Sequence, residues 1–349
     1  MLVDRGVGCL LGGAVGDALG LPFETLSARR IAKWFRPGGY QLFFGRGMVS
    51  DDTEHSFLVL KVLHLSQGDP VRFQRLLRRA LMLWLLALPT GIGFATLRAL
   101  LKSWLGLPVR WAAVNSPGSG PAMRAAVIGC YAARFPERAD VDALTRAATE
   151  MTHANRKAEI GALAMARLAR MAALSNTMPG WQEVRAELQA VGGDDPDWVR
   201  LIALIEAGLE QQLPVPDFAV TIGHRRRQGG YVYFTTPLAI YSWLRHPGDL
   251  IETVAAVIRC GGDTDTGAAM AGGLAGASLG EAGIPAHYLE TLCDQPLSVS
   301  RLRRTAAQAF GTGPASGLGL LFFPLLMLRN LSFLTLIVAH LFRRLLPPY

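Results

Sequence analysis

Cysteine is scarce in this chain of 349 residues: four, at 9, 130, 260 and 293, all far apart. No C-x-x-C occurs and no Cys/His cluster has zinc spacing, which excludes a disulfide scaffold and a zinc–thiolate site. The four read as reduced, mostly buried thiols of a cytosolic protein. Charge is also sparse, at 18%, against 50% hydrophobic residues, and this excludes a disordered chain. No segment of any length alternates with period two, so strands are not expected. No internal repeat is present. The apolar run Gly6–Leu11 is bracketed by Asp4 and Asp17 without a cleavage pattern, so it does not read as a signal peptide. Acidic residues are outnumbered 27 to 35, giving a net charge of +8 and a pI of about 9.7. That balance suits an acidic partner such as a pyrophosphate, nucleic acid or an anionic membrane face, without choosing among them.

What is present is small residues and paired carboxylates. Residues 259–280 read RCGGDTDTGAAMAGGLAGASLG. Asp263 and Asp265 open a run of Ala, Gly and Met with no charge until Glu281. Such a helix packs closely against its neighbours, and two carboxylates at its mouth are costly to bury unless neutralised. A hard divalent cation would neutralise them, since Mg²⁺ and its relatives prefer carboxylate and hydroxyl oxygens. A second pair stands upstream in Ser50-Asp51-Asp52-Thr53-Glu54, leading into SFLVL, with Asp51 and Glu54 at capping-box spacing. Either pair alone reads as helix capping on a solvated surface. Together they suggest one shared metal site.

The rest of the chain reads as helices and loops. Residues 6–20 form a helix whose glycines at 8, 12, 13, 16 and 20 predict close helix contact; Asp17 inside it is a satisfied buried carboxylate or a group supporting the site. Residues 25–49 look irregular. Ser50 caps a helix to about Leu65, and His55 and His64 on it are given no role. Asp69-Pro70 begins a helix to Leu88 with Arg72, Arg75, Arg78 and Arg79. Its basic cluster reads as a solvated face rather than a nucleic-acid contact. A helix over about 93–105 is followed by a loop over 106–121. AMRAAVIGCYAARF is helical, Asp140 caps a helix to about Met151, and Thr152-His153 interrupts before a long helix to Leu174. A short helix covers Trp181–Val191, and Asp195-Pro196 opens one to Leu213. The stretch GHRRRQGGYVYFTTP, with Arg225, Arg226 and Arg227, is a loop before helices at about 236–245 and 249–259.

After Phe310 the linker GTGPASG leads into two apolar runs, 317–328 and 331–342, joined by Arg329-Asn330. Each run spans about 18 Å as helix against a hydrocarbon core of about 30 Å, so neither crosses a bilayer alone. Joined, they reach far enough, with Arg329 near the middle at a cost of roughly 2.5–3.5 kcal/mol. A membrane-seated tail, packing on the body and an oligomer contact remain open.

GGDTDTGAAMAGGLAGA and SDDTE resemble the two metal-binding motifs of the ADP-ribosylglycohydrolase family, which includes dinitrogenase reductase-activating glycohydrolase and the ADP-ribosyl-acceptor hydrolases. GCLLGGAVGDALGLPFE at 8–24 resembles its N-terminal signature. GSGPAMRAAVIG at 118–129, Thr152-His153, GGYVYFTTPLA at 229–239 and IPAHYLETL at 284–292 follow in order. The resemblance spans about residues 6–310. It implies an all-α fold: a single multi-helix domain over 1–312 with a buried two-metal cleft. The apolar tail over 313–349 is read from the residues, and the family does not generally require one. The resemblance implies two Mg²⁺, with Mn²⁺ as the alternative, held by Ser50, Asp51, Asp52, Asp263, Asp265 and Thr266. Asp52, Asp265 and Glu24 are the candidates for proton transfer or water positioning. The implied ADP-ribose contacts are Ser116, Ser119, Gly120, His153, Gly230 and Tyr231. Two positions depart from the family pattern: Ser50 stands for the usual threonine and Ser119 for the usual asparagine. The implied activity is hydrolysis of the C1″ glycosidic bond of ADP-ribose on a protein side chain, arginine or serine, releasing ADP-ribose. The alternative is a module that binds ADP-ribose without cleaving it. The expected partner is an ADP-ribosylated protein, with a membrane contact through 317–344 and no nucleic acid. The expected location is cytoplasmic, free or at the membrane through the tail.

Overall fold

A computed structural model of the chain describes residues 1–42, 44–224, 229–315 and 317–343. Its centre is a pair of antiparallel helices, α1 (Leu2–Gly20) and, near the other end of the chain, Thr264–Leu279. Glycines four apart fall on one helical face, and here that face is Gly8, Gly12, Gly16 and Gly20. A Cβ on Gly12, Gly16 or Gly20 would lie 2.4, 2.1 or 2.3 Å from the carbonyl oxygens of Gly272, Ala268 and Thr264. The reciprocal contacts of Gly272 and Gly276, on Gly12 and Gly8, are equally close. Backbone therefore touches backbone, as the glycine spacing predicts. The antiparallel sense sets the start of one helix beside the end of the other, with the Thr264 hydroxyl donating to the Gly20 carbonyl at 2.9 Å.

The remaining helices surround this pair. After α1 come α2 (Ala28–Trp34), α3 (Asp51–Ser66), α4 (Pro70–Leu86), α5 (Phe94–Trp104), α6 (Val109–Ala112) and α7 (Gly120–Met123). Then follow α8 (Ala126–Arg134), α9 (Val141–Glu150), α10 (Arg156–Leu174), α11 (Trp181–Gly192), α12 (Pro196–Glu210) and α13 (Val215–Thr221). The chain closes with α14 (Val232–Arg245), α15 (Leu250–Ile258), α16 (Thr264–Leu279), α17 (Ala286–Thr291), α18 (Val299–Phe310) and α19 (Phe322–Arg343). Among the described residues strand-like pairing occurs only as isolated bridges, including Val114 with His153 and Gly118 with Tyr231. The all-α expectation holds. The three aspartates read as helix starts do cap: Asp69 accepts from the Arg72 amide, Asp140 from Asp142 and Asp195 from Trp198. Cys9, Cys130 and Cys260 are buried and Cys293 is exposed, all as free thiols.

Five local expectations are corrected. Residues 25–49 hold α2, and 106–121 hold α6 and the start of α7, short helices whose signals are lost among Gly and Pro. Val215–Thr221 is helical where Pro214-Val-Pro216 reads only as a stop; Pro216 sits in a first turn, where its missing N–H costs nothing. The predicted loop through Pro237 is helical from Val232, because α14 is buried along most of its length and that burial outweighs one lost backbone hydrogen bond. Arg225–Arg227 lie outside the described residues. Finally, from Phe322 on, the two apolar runs of the tail are one helix, α19, unbroken at Arg329-Asn330. Its Phe322, Leu326, Arg329, Asn330 and Phe333 are buried against the body. The Phe322 ring stacks on Phe57 at 5.4 Å, and Asn330 donates to the Ala87 carbonyl at 2.8 Å. Arg329 is thus not a charge in the middle of a span; the packing reading of the tail describes this face.

Candidate functional site

The mouth of α3 is held open by its neighbours. The Ser50 hydroxyl caps the helix, accepting from the Asp52 amide at 3.2 Å and donating to Asp52 Oδ2 at 3.1 Å. Asp17, from α1, accepts from the Ser50 amide at 2.9 Å, the Thr53 amide at 3.2 Å and the Thr53 hydroxyl at 2.5 Å. This buried carboxylate therefore supports the site. With the free amides taken by Ser50 and Asp17, Asp51 and Asp52 are not needed as caps. The capping-box spacing of Asp51 and Glu54 is not used either. Glu54 turns the other way, accepting from Trp84 Nε1 at 2.5 Å and from Arg329 at 2.9 Å.

The mouth of α16 lies against it. Asp263 occupies the N-cap position but makes no side-chain cap bond; its Oδ2 accepts from the Ser119 hydroxyl at 3.2 Å. Thr266 donates to Asp52 Oδ2 at 3.2 Å, joining motifs 214 residues apart. Gly261 and Gly262, at φ +76° and +85°, make the turn into this mouth, a left-handed conformation natural to glycine. The Gly262 carbonyl accepts from the Thr25 amide at 2.8 Å, which brings Glu24 alongside. Surface capping is thus excluded for both pairs, whose Asp52 and Asp265 are buried.

The electrostatics are unfavourable for protein alone. Burial pushes Asp51, Asp52 and Asp265 well above the ordinary carboxylate range, and their negative neighbours push further: Glu54 and Asp17 on Asp51, Asp17 and Asp51 on Asp52, Glu24 and Asp263 on Asp265. Asp263 is raised by burial, opposed by hydrogen bonds from Thr266, Asp265 and Ser119. Burial lifts Asp17 to about 6 against its three donors. Asp52 Oδ1 and Asp265 Oδ1 are buried with no hydrogen-bond partner. Orphaned acceptors in a cluster of like charge are what a hard cation satisfies. Among the described residues no three His, Cys, Asp or Glu side chains alone stand in metal-holding geometry. The donors that converge are mixed, carboxylates with the Ser50 and Thr266 hydroxyls, an all-oxygen set suited to magnesium-like ions that keep water ligands.

A cavity of about 500 Å³ opens above these mouths. Glu24, Asp51, Asp263, Asp265 and Thr266 form one wall; Ser116, Ser119, Gly120, His153 and Gly230 form another. Ser50 and Asp52 are not on its wall but buried beneath, at 3% and 2% exposure. Tyr231 also stands off the wall, its ring edge-on to Phe234 and its hydroxyl 3.4 Å from Lys157 Nζ. The glycines are matters of space: a Cβ on Gly230 would fall 2.6 Å from Asp263 Oδ2 and 2.7 Å from Ser119 Oγ. The Ser119 amide is already given to the Gly230 carbonyl at 2.8 Å. That amide cannot serve an anion, so the loop offers the Ser116 and Ser119 hydroxyls and close approach over glycine. His153 is pushed down to about 3 by burial and then by Arg124, so it is neutral; its Nδ1 pairs with Thr152 Oγ1 at 2.8 Å. It can hydrogen-bond a ligand but brings no charge to it.

Sequence reasoning did not single out Gly91, Gly93, Phe94, Ala95, Thr96 and Met123, which complete the wall. Nor did it single out Arg124, buried and bonded to His55, the Ala148 carbonyl and Thr152. Gly91 and Gly93 come from the turn before α5, Phe94, Ala95 and Thr96 open that helix and Met123 ends α7; none carries a charge, so no residue-type signal marks them. Arg124, an arginine inside the apolar AMRAAVIGC, was a visible exception to the pattern.

The arrangement has counterparts. An ADP-ribosylglycohydrolase family model matches residues 1–316. The chain is 27% identical to the ADP-ribosylhydrolase ARH3 of Gallus gallus, covering 82% of this chain and 88% of that one. It is 26% identical to the ADP-ribosyl-[dinitrogen reductase] glycohydrolase of Rhodospirillum rubrum, over 83% and 90%. A solved structure, described as an ADP-ribosylglycohydrolase-related protein complex, superposes with a TM-score of 0.66 at 26% identity, over 88% of this chain and 98% of its own. The expected resemblance is therefore borne out over nearly the whole chain, and with its helical fold the protein belongs to the ADP-ribosylglycohydrolase family.

Proposed function

We propose that the protein is a metal-dependent hydrolase that cleaves the C1″ glycosidic bond of ADP-ribose attached to an arginine or serine side chain of a protein and releases ADP-ribose. The observation that carries this reading is the Thr266–Asp52 hydrogen bond, which draws both acidic helix mouths to one cavity beside a glycine-lined wall. Ser50, Asp51, Asp52, Asp263, Asp265 and Thr266 would hold two Mg²⁺, or Mn²⁺. When bound, such ions orient ribose hydroxyls and make water a better nucleophile as the anomeric carbon gains oxocarbenium character. Of the three carboxylates weighed for the water's proton, Asp52 lies beneath the wall and spends Oδ2 on two hydroxyls. Glu24 and Asp265 line the cavity. One of these two takes the proton, and Asp52 serves as a ligand. His153, neutral, hydrogen-bonds the ADP-ribose, and Ser116 and Ser119 offer hydroxyls to it.

Neither departure from the family pattern strips the site of a polar group. Ser50 retains the threonine's hydroxyl, which donates to Asp52, and Ser119 puts a hydroxyl in place of the asparagine amide, donating to Asp263. The deciding experiment incubates purified protein and Mg²⁺ with arginine-, serine- and nucleic-acid-linked ADP-ribose. One of the protein-linked substrates is expected to release ADP-ribose, and excess EDTA to stop it. Tight ADP-ribose binding with no release from any of them would establish the binding module instead.

The raised carboxylates give a second test. A carboxylate whose folded pKa lies above its unfolded value stabilises the fold fully below the unfolded pKa, and that contribution is lost as pH rises through the folded one. For Asp17 the window runs from about 4 to about 6, and for Glu54 from above 4 to about 7. Asp51, Asp52 and Asp265 shift in the same direction. Bound Mg²⁺ opposes this loss, so the gain in melting temperature on adding Mg²⁺ is expected to grow between pH 5 and pH 8. A gain independent of pH would mean that the cation binds elsewhere.

The reading extends to location. The outward face of α19 exposes Leu325, Leu328, Leu331, Leu334, Val338 and Phe342. Crossing a bilayer would require withdrawing Arg329 from two buried carboxylates. A helix lying in the lipid interface keeps those pairs and covers the apolar face. Full-length protein is expected to float with anionic vesicles in a density gradient. Protein that stays at the bottom at every lipid composition ends this part of the proposal, and a dimer in detergent-free solution would assign the face to a second copy.

A further inference from the structure

We infer that Arg329, on the tail helix beyond the matched residues 1–316, is a positioning residue for the acidic mouth of α3. This rests on the reading of that mouth as the ligand-holding segment. Arg329 is buried, at 8% exposure, and is not on the cavity wall. Nη1 donates to Glu54 Oε1 at 2.9 Å and to Asn330 Oδ1 at 2.8 Å. Nη2 donates to Asp294 Oδ2 at 2.6 Å, and Nε to the same oxygen at 3.2 Å. Nη2 also donates to the Val49 carbonyl.

The Val49 contacts make this more than a tail anchor. Asp294 Oδ2 accepts from the Val49 amide at 3.2 Å, so the Arg329–Asp294 pair grips the peptide groups on both sides of Val49. The next amide, Ser50, is held by Asp17. Three charged side chains from three distant segments therefore fix the backbone that leads into Ser50, Asp51 and Asp52. The planar fork is suited to this, because it reaches a carboxylate and a carbonyl at fixed angles. One turn further, Glu54 is clamped between Arg329 and Trp84, fixing the rotation of α3 about its axis. Without the guanidinium, two buried carboxylates lose their only cationic hydrogen-bond partner among the described residues, and the Val49 carbonyl loses its donor.

The test uses the full chain. Amide hydrogen exchange of residues 49–53 and Mn²⁺ affinity, by electron paramagnetic resonance, are compared in wild type, Arg329→Met, Arg329→Lys and Phe322→Ala. The last loosens tail packing on Phe57 and leaves the guanidinium in place. Arg329→Met is expected to speed exchange at 49–53 at least tenfold and to weaken Mn²⁺ binding at least fivefold, with Arg329→Lys intermediate and Phe322→Ala near wild type. Should Arg329→Met not accumulate folded, Arg329→Lys carries the same comparison. Unchanged exchange at 49–53 overturns the inference, as does Phe322→Ala matching the arginine variants, or faster exchange with wild-type Mn²⁺ affinity. If wild type itself binds no Mn²⁺, the ligand reading of the mouth fails, while the exchange data still decide whether Arg329 holds it.

Discussion

Asp265→Asn is expected to lower ADP-ribose release by about 10³-fold or more, roughly 4 kcal/mol of transition-state stabilisation, while raising the melting temperature of the metal-free protein. The two effects have one cause. Asp265 lines the cavity, is 5% exposed and has a buried oxygen without a partner. Burial and four neighbouring carboxylates, Glu24, Asp263, Asp52 and Asp17, all act against its charge. An uncharged isostere relieves that repulsion, and its amide can donate to a neighbouring carboxylate. The same change removes a ligand, and with it the charge that holds a cation at the anomeric centre. A residue kept only for packing would show the opposite pair, normal turnover with a lower melting temperature. Steady-state release and thermal melts in EDTA separate the cases; turnover within threefold of wild type would defeat the site assignment.

Gly16→Ala is expected to be among the most damaging single-methyl changes in the molecule. The added Cβ would stand 2.1 Å from the Ala268 carbonyl oxygen, inside van der Waals contact with backbone that cannot swing aside. Relief requires α1 and α16 to separate, at a cost of roughly 3 kcal/mol. The separation also moves Asp17, one residue along, and Asp265, one turn before Ala268, so release should fall with stability. Gly13→Ala is the internal control. Its Cβ would meet the Ala269 oxygen at 3.5 Å, an ordinary contact. Alanine there is expected to be neutral or to stabilise by up to about 1 kcal/mol, through helix propensity. Denaturant melts of the two variants give the comparison. Equal effects would mean that the helices do not meet along the Gly8–Gly20 face.

These expectations also mark how far the residues could be read unaided. The glycine ladder was legible because four-residue spacing puts Gly8, Gly12, Gly16 and Gly20 on one face whatever lies opposite. The acidic mouths were legible because hydroxyl-flanked carboxylates opening an apolar helix are hard to explain as core. The caps at Asp69, Asp140 and Asp195 were legible because capping is a contact within three residues. Short helices such as α2 and α13 were not, since their turn signals outweigh so few helical residues. Tyr231 was assigned to the ligand by motif position, yet its side chain turns toward Lys157 and Phe234. Motif position fixes a backbone location but not the direction of a side chain.

Helical class, the close-packed small-residue faces and the two carboxylate clusters follow from local spacing, and local spacing is written in the chain itself. Which groups meet from distant segments was decided only by the packed molecule: Thr266 on Asp52, Asp17 beneath Ser50 and Thr53, and Arg329 of the tail between Glu54 and Asp294. An arginine in an apolar run has the same local pattern whether it faces lipid, solvent or a buried acid. Only the partner tells them apart, and one partner of Arg329, Glu54, lies 275 residues away.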